Sequence, residues 1–306
     1  MRKLFSLFAL GCIFFLSCNS SNKEDDDSVI KLKEKIKERF GGVEGDFAIA
    51  FKSLTSDSTS LFLKEKENFH AASTMKTPVM IELYKQVAIG NLSLEDSVEI
   101  INEFKSIVDG SPYAMDLNVD SQEGLYHKIG QKTTFRELNY QMITMSSNLA
   151  TNILIDHLDA KKVTQTMRDM GAADILVLRG VEDLKAYELG MSNTTTAVDL
   201  MILMESIATG KAVSEQASDE MFKVLLDQHF NELIPAHLPD DVIVAHKTGS
   251  ITGVQHDSGI VRLPNGDQYV LVILSKNLSS IDDGVKAIAD VSKMIYDFVT
   301  KNEKSN

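Results

Sequence analysis

The order of hydrophobic periodicities constrains the fold of this 306-residue chain more than any other feature. A helical pattern over Ser28 to Phe40 precedes two strand-like segments, Phe47 to Phe51 and Ser60 to Leu63. From Ala71 to about Gly210 the apolar spacing is mainly helical, with loops at 109–124 and 179–193. Three more strands and a closing helix follow, at Val242 to His246, Ser258 to Leu263, Tyr269 to Leu274 and Val285 to Phe298.

This order predicts an α/β (α+β) fold, because strands near both chain ends bury their apolar faces best in one shared antiparallel sheet. We expect about five strands, flanked by the N- and C-terminal helices, with an all-α lobe inserted in the sequence between them. The corresponding subdomains are an α/β unit at 29–70 and 211–300 and a helical unit at 71–210.

Composition and charge exclude several classes of protein. Hydrophobic residues make up 43% of the chain, which is enough for a core that needs no metal or disulfide. The net charge is −13, whereas binding to nucleic acid phosphates requires a basic face. We therefore expect no nucleic acid partner.

The N-terminus has the pattern of an export signal. Arg2 and Lys3 precede an apolar stretch from Leu4 to Leu16, which is too short to span a bilayer. It ends in Phe15-Leu16-Ser17-Cys18, which resembles a bacterial lipobox; the alternative is a plain cleaved signal peptide. We predict a signal peptide with lipobox at 1–18 and a protein of the periplasm or outer envelope, whose membrane contact is a lipid anchor at Cys18.

An acidic segment at 19–28 follows Cys18 and has the composition of a disordered tether. Cys12 is the other cysteine of the chain, and it lies within the leader. The mature domain is therefore expected to contain neither a disulfide nor a thiol nucleophile.

The first chemical motif is Ser73-x-x-Lys76, at the start of an apolar helix. A spacing of three residues places both side chains on one helical face. A serine hydroxyl becomes a good nucleophile when a neighbouring base takes its proton, and a lysine in a dry cleft can serve as that base. The motif alone is weak, because a helix-capping serine gives the same pattern and the spacing recurs near the N-terminus.

The second motif is Ser146-Ser147-Asn148. In one interpretation Ser146 passes a proton to a leaving nitrogen while Asn148 holds a substrate amide. In the other, the segment is only a polar turn between helices.

The third motif is Lys247-Thr248-Gly249-Ser250, which we place at the end of the strand Val242 to His246. A glycine on an edge strand lets a substrate backbone approach closely. The lysine and the hydroxyl groups offer positive charge and hydrogen bonds to a carboxylate. The alternative is a strand end that runs into a loop.

Taken together and in this order, the motifs resemble those of class A β-lactamases and penicillin-binding proteins, and the resemblance covers about Ser28 to Phe298. It implies a β-lactamase/transpeptidase-like fold and hydrolysis of the β-lactam amide through an acyl-Ser73 intermediate. It further implies a base, Lys76, a proton shuttle, Ser146, and an amide clamp, Asn148. The carboxylate and oxyanion wall would consist of Lys247, Thr248, Gly249 and Ser250, with the backbone N–H groups of Ser73 and Ser250 as the oxyanion hole.

The chain departs from the family pattern at two places. Ser147 stands where class A enzymes usually carry an Asp of structural importance. In the loop that should supply the deacylating glutamate, counting from Arg179 puts Val181 in the glutamate position and Glu182 one residue late. Glu182 is our candidate and Glu188 a weaker substitute, the alternative being an acid that merely faces water.

The sequence does not identify the residue that binds a substrate carboxylate, because His256-Asp257 stands where many relatives place an arginine. We regard the His256-Asp257 pair as structural. No histidine spacing typical of a zinc site occurs, so we expect no metal. We also expect no cofactor, and a monomer. Two other functions remain: a D,D-peptidase acting on peptidoglycan stems, and a penicillin-binding protein that acylates without turnover.

Overall fold

The computed structural model describes residues 21–55 and 59–302. The predicted signal peptide, the lipobox with Cys18 and the first residues of the predicted tether lie outside the described residues. No helix within the described part of the chain combines the length and apolar character needed to cross a bilayer.

The helices follow the predicted order, and the first of them begins earlier than predicted. The first helix begins at Ser21 rather than at Ser28, so it includes most of the acidic segment predicted as a disordered tether. The helices are α1 (Ser21–Gly41), α2 (Lys76–Ala88), α3 (Phe135–Thr144), α4 (Asn148–Leu158), α5 (Ala160–Asp169), α6 (Leu184–Glu188), α7 (Ala197–Ala208), α8 (Glu215–Leu226) and α9 (Ile281–Asn302).

The strands form one main sheet and several short pairs. Within the described residues the main sheet has five strands in the order β2-β1-β11-β10-β9, and every neighbouring pair is antiparallel. The strands are β1 (Asp46–Ser53), β2 (Ser60–Leu63), β3 (Phe69–His70), β4 (Ser97–Glu99), β5 (Phe104–Lys105), β6 (Pro112–Tyr113), β7 (Lys132–Thr134), β8 (Thr194–Thr195), β9 (Ile243–Ile251), β10 (Val254–Arg262) and β11 (Gln268–Lys276).

The sheet joins the two ends of the chain, as the sequence predicted. Strand β1 pairs with β11 from Asp46 opposite Lys276 to Ser53 opposite Tyr269. The predicted fold class is therefore confirmed: an antiparallel sheet flanked by α1 and α9, with the helices α2 to α8 between its two parts in sequence.

The two faces of the sheet bury different partners, because alternate residues of a strand point to opposite sides. On β1, Ile49 and Phe51 belong to the core shared with α1 and α9. Their neighbours Ala48 and Ala50 belong to the larger core shared with the helical part of the chain. Helix α7 packs against this face of the sheet, where the small alanines leave room for it.

The segment between α2 and α3 is less helical than predicted. The expected loop at 109–124 is part of a longer non-α-helical stretch at 89–134, where β4 pairs with β7 and β5 pairs with β6. This stretch carries a loop, 116–124, which contacts the N-terminal end of α4.

Candidate active site

Ser73 lies in a tight turn that leads into the buried helix α2. The turn is a 3-10 helix, Ala72–Met75, and α2 follows it directly. Ala72 has a φ of 45°, in the left-handed region that costs a residue other than glycine about 1–3 kcal/mol. The Ala72 N–H donates to His70 Nδ1 at 3.0 Å and the Thr74 hydroxyl donates to the Ala71 carbonyl at 2.6 Å. These bonds hold the strained turn and leave Ser73 partly exposed at its surface.

Lys76 is fully buried one turn after Ser73, and its ammonium group has three acceptors. Lys76 Nζ donates to the Ser146 carbonyl at 2.7 Å, to Ser146 Oγ at 3.2 Å and to Asn148 Oδ1 at 2.8 Å. The first and second motifs, distant in sequence, are therefore in direct contact.

Burial lowers the pKa of Lys76 to about 7, although the negative charges of Asp120 and Glu182 oppose this shift. Loss of solvent disfavours the charged form of an amine more than these two carboxylates favour it. A substantial fraction of Lys76 is consequently neutral near neutral pH and able to accept a proton.

The Ser146-Ser147-Asn148 segment is the turn between α3 and α4. Ser146 adopts a left-handed φ of 55°, which directs its hydroxyl towards Lys76 and Lys247. Ser147 is fully buried and caps α4 by accepting the Ala150 N–H at 3.2 Å. The segment is therefore a polar turn between helices, and this turn places the Ser146 hydroxyl next to two amines.

Lys247 contacts the same hydroxyl as Lys76. Its Nζ donates to Ser146 Oγ at 3.0 Å and to the Thr248 carbonyl at 3.0 Å. Burial, followed by repulsion from Lys76, holds the pKa of Lys247 well below its ordinary value. Two amines that share one hydroxyl in a dry site resist being charged together, so they titrate as a pair.

The third motif lies inside strand β9, so its predicted position at a strand end is wrong. The strand continues to Ile251, because Ser250 pairs with Gln255 and Gly249 with His256 on β10. A Cβ atom on Gly249 would lie 3.1 Å from the backbone nitrogens of Ser73 and Thr74. Glycine therefore allows β9 to pass directly against the turn that holds Ser73.

These residues open onto a cleft of about 530 Å³. The apolar part of its wall comes from Val119, Phe230, Leu233 and Val285. The cleft brings together side chains from all three motifs, namely Ser73, Ser146, Asn148, Thr248 and Ser250.

His256 does not provide a cation for a substrate carboxylate. It is fully buried, its Nε2 donates to the His70 carbonyl at 2.9 Å, and its Nδ1 accepts the Ser275 N–H at 3.1 Å. Burial lowers the pKa of His256 to about 4, so the ring is neutral at neutral pH. Arg262 points elsewhere, with its guanidinium 3.7 Å from the centre of the Phe222 ring.

Asp257 pairs with His246 rather than with its sequence neighbour His256. His246 Nδ1 lies 2.9 Å from Asp257 Oδ1, and Asp257 also accepts the Ile234 N–H at 3.0 Å. Both side chains are buried, which agrees with a structural role for this acid. Thr248 and Ser250, by contrast, line the cleft.

The loop after Arg179 places Val181 and Glu182 in different environments. Asn152 holds the Val181 backbone on both sides, accepting its N–H at 2.7 Å and donating to its carbonyl at 3.0 Å. Glu182 adopts a φ of 62°, and its Oε1 accepts Asn148 Nδ2 at 2.8 Å. The left-handed residue thus brings a carboxylate to the site although it stands one position late in the sequence.

The Glu182 carboxylate is half-buried, and this burial raises its pKa, while the hydrogen bond from Asn148 acts in the opposite direction. Glu188, the weaker candidate, lies exposed at the C-terminal end of α6. The geometry therefore favours Glu182 over Glu188 as a group that reaches the network around Lys76.

A second loop carboxylate, Asp183, was not recognised in the sequence. It is buried and accepts Ser106 Oγ at 2.8 Å and the Ile107 N–H at 2.9 Å, which fixes the Glu182 loop against the 104–113 segment. Asp183 also caps α6 by accepting the Ala186 N–H at 3.2 Å, which is a local signal, but its partners Ser106 and Ile107 lie far away in sequence. Among the described residues no group of three or more potential metal ligands occurs.

Comparison with known proteins identifies the family of the chain. The β-lactamase enzyme family matches residues 31–299 of the chain, and the chain therefore belongs to this family. It is 23% identical to the β-lactamase VEB-1 of Pseudomonas aeruginosa, over 93% of this chain and 94% of that protein.

Two solved structures of PBP-A are also similar. One has a TM-score of 0.76 and 29% sequence identity, and the match covers 89% of this chain and 96% of PBP-A. The other, a PBP-A mutant in an acyl-enzyme complex with penicillin G, has a TM-score of 0.75 and 28% identity, over 90% of this chain and 97% of the mutant.

Proposed function

We propose that this protein is a class A-type serine β-lactamase, which hydrolyses the β-lactam amide through an acyl-Ser73 intermediate. The observation that carries the proposal is the contact of Ser146 Oγ with two buried amines, Lys76 at 3.2 Å and Lys247 at 3.0 Å, beside the nucleophile turn. Membership of the β-lactamase enzyme family and the similarity to VEB-1 support it.

In acylation, Ser73 Oγ attacks the β-lactam carbonyl carbon while its proton passes to neutral Lys76. The negative oxygen that forms is stabilised by the backbone N–H groups of Ser73 and Ser250. Ser146 Oγ then gives its proton to the leaving nitrogen as the C–N bond breaks, and Lys76 returns a proton to Ser146. The 3.2 Å contact between Lys76 and Ser146 supplies the path for this transfer.

In deacylation, Glu182 accepts a proton from a water molecule, and the water oxygen attacks the ester carbonyl. The bond to Ser73 Oγ breaks, and the proton that Glu182 took from water returns to the serine oxygen, so that both groups regain their initial state. The hydrogen bond from Asn148 holds the Glu182 carboxylate at the network. A positioned general base of this kind is worth about 10²–10⁴ in rate, or roughly 3–5 kcal/mol of barrier.

The second candidate is a penicillin-binding protein or D,D-peptidase that acylates but turns over β-lactams poorly. It is favoured by Val181, which stands in the family glutamate position and is held there by Asn152. The similarity to PBP-A, one structure of which is an acyl-enzyme complex with penicillin G, points in the same direction. The two candidates share acylation and differ in whether Glu182 completes the cycle.

We further propose that the chain is exported, cleaved before Cys18, lipid-anchored there and active as a monomer in the periplasm or outer envelope. The basic and apolar leader and the lipobox-like residues support this. We also propose that the helical subdomain extends from residue 71 to residue 210, between the two parts of the α/β subdomain.

The deciding experiment is hydrolysis of a chromogenic cephalosporin by the chain from Asn19 onward, followed from the first turnover. We expect a linear release of product far beyond one equivalent per enzyme. One stoichiometric burst that then stops would favour the penicillin-binding alternative. No release and no covalent adduct would refute both.

A further inference from the structure

A carboxylate outside the three motifs lies against the turn that carries Ser146 and Asn148. Asp120 accepts the Asn148 N–H at 3.0 Å through each of its oxygens and the Leu149 N–H at 2.9 Å. The Tyr126 hydroxyl donates to the same carboxylate at 2.9 Å. Asp120 is therefore held firmly in one orientation, although it belongs to an irregular loop.

Two side chains, Asp120 and Ser147, accept hydrogen bonds from the first three backbone N–H groups of α4. The first N–H groups of a helix lack partners within the helix and need acceptors from elsewhere. Ser147 caps the third of them, on Ala150, at 3.2 Å. Asp120 takes the first two, and its charge also suits the positive end of the helix.

The neighbouring residue strengthens the same junction. Ser121 Oγ donates to the Met145 carbonyl at 2.6 Å, immediately before the Ser146 turn. Asp120 and Ser121 thus bind the turn on both of its sides. Ser146 keeps a left-handed φ of 55° between these two attachments.

We propose that Asp120 is a positioning residue that fixes Ser146 and Asn148 for catalysis, and that it supplies from a separate loop the carboxylate that the Ser146-Ser147-Asn148 motif lacks. The chain has Ser147 where class A enzymes usually carry an Asp, and Asp120 compensates for this change. The inference rests on the proposed function, because it assumes that Lys76 and Ser146 carry out acylation.

Asp120 affects catalysis through Asn148, because it binds the backbone N–H of that residue. The side chain of Asn148 accepts Lys76 Nζ at 2.8 Å and donates to Glu182 at 2.8 Å. A shift of the Asn148 backbone therefore moves partners of both the acylating and the deacylating group. A displacement of this kind costs rate even where every reacting group is still present.

Asp120 also acts on Lys76 through its charge. The groups facing Lys76 are the Ser146 carbonyl and hydroxyl, Asn148 Oδ1, the carboxylates of Asp120 and Glu182, and the Lys247 amine. The two carboxylates raise the pKa of Lys76 against the effect of burial. Removing the charge of Asp120 lowers that pKa further. The acid limb of acylation, which is the pH range where the rate rises as Lys76 loses its proton, therefore moves to lower pH.

The test measures covalent labelling by a fluorescent penicillin in the chain from Asn19 onward, over a series of pH values and in single turnover. For Asp120→Asn we expect acylation at the pH optimum to fall by about tenfold or more, with the acid limb shifted to lower pH. The matched control is Glu123→Gln, which removes the same charge from an exposed position of the same loop and should keep the wild-type rate and limb.

A rescue variant separates positioning from general destabilisation. Asp120→Asn combined with Ser147→Asp returns a carboxylate to the N-terminus of α4, and we expect it to recover part of the acylation rate. The proposal is overturned if Asp120→Asn labels at the wild-type rate with an unchanged limb, or if circular dichroism shows that it is unfolded at the assay temperature. Absence of labelling in the wild type would instead refute the proposed function.

Discussion

The amide group of Asn148 and the carboxylate of Glu182 are joined by a 2.8 Å hydrogen bond from Nδ2 to Oε1. The oxygen of the same amide accepts Lys76 Nζ at 2.8 Å. One side chain therefore connects the base proposed for acylation with the base proposed for deacylation. Acylation and deacylation therefore both depend on the position of the turn between α3 and α4.

Glu182→Gln should trap the acyl-enzyme. The amide keeps the size of the side chain but cannot accept a proton from water, so we expect deacylation to slow by about 10²–10⁴ while acylation proceeds. Intact-protein mass spectrometry after addition of penicillin measures the trapped adduct. Glu188→Gln is the matched control, because Glu188 is an exposed acid of the same loop and its removal should leave turnover unchanged. Equal turnover of Glu182→Gln and wild type would show that Glu182 is not the base.

Acylation should increase with pH through the titration of Lys76, whose pKa burial lowers to about 7. Only the neutral amine accepts the Ser73 proton, so the rate is low where Lys76 is protonated and reaches a plateau above its pKa. The acylation rate constant measured from acidic to mildly alkaline pH tests this. A rate that falls as pH rises through neutrality would exclude Lys76 as the base.

Gly249→Ala should impair acylation more than folding. The new Cβ would lie 3.1 Å from the backbone nitrogens of Ser73 and Thr74, so strand β9 must shift away from the nucleophile turn. We expect kcat/KM to fall by about tenfold to a hundredfold, since small displacements of reacting groups have effects of this size. Gly41→Ala, with open space around its Cβ, is the control and should keep full activity. Wild-type kcat/KM in Gly249→Ala would show that the close approach is unimportant.

The order of elements and the three motifs were predictable because they depend on local information. The spacing of Ser73 and Lys76 follows from helix periodicity, and the paired termini follow from where strand patterns occur along the chain. Strand β9 was predicted to end at His246 because the polar residues after it lack strand periodicity. In the structure Lys247 is nevertheless buried, since Ser146 supplies a partner for its amine.

The long-range contacts of Asp120 and Asp183 were not predictable, because the partners in these contacts lie far away in sequence. The carboxylate of Asp120 binds amides of Asn148 and Leu149, and Asp183 binds Ser106 and Ile107. Asp183 has the local pattern of a helix N-cap, because it caps α6, but no periodicity or motif indicates these distant contacts. The position of Glu182 was ambiguous for a related reason: its left-handed φ of 62° and its bond to Asn148 emerge only in three dimensions.

The central claim is that a β-lactam acylates Ser73, and peptide mapping of the penicillin-treated protein tests it most directly. Acid-quenched Glu182→Gln protein should carry one penicilloyl group, on the peptide that contains Ser73, and Ser73→Ala in the same background should carry none. A label on Ser146 or elsewhere, or an unlabelled protein that still consumes penicillin, would contradict the account.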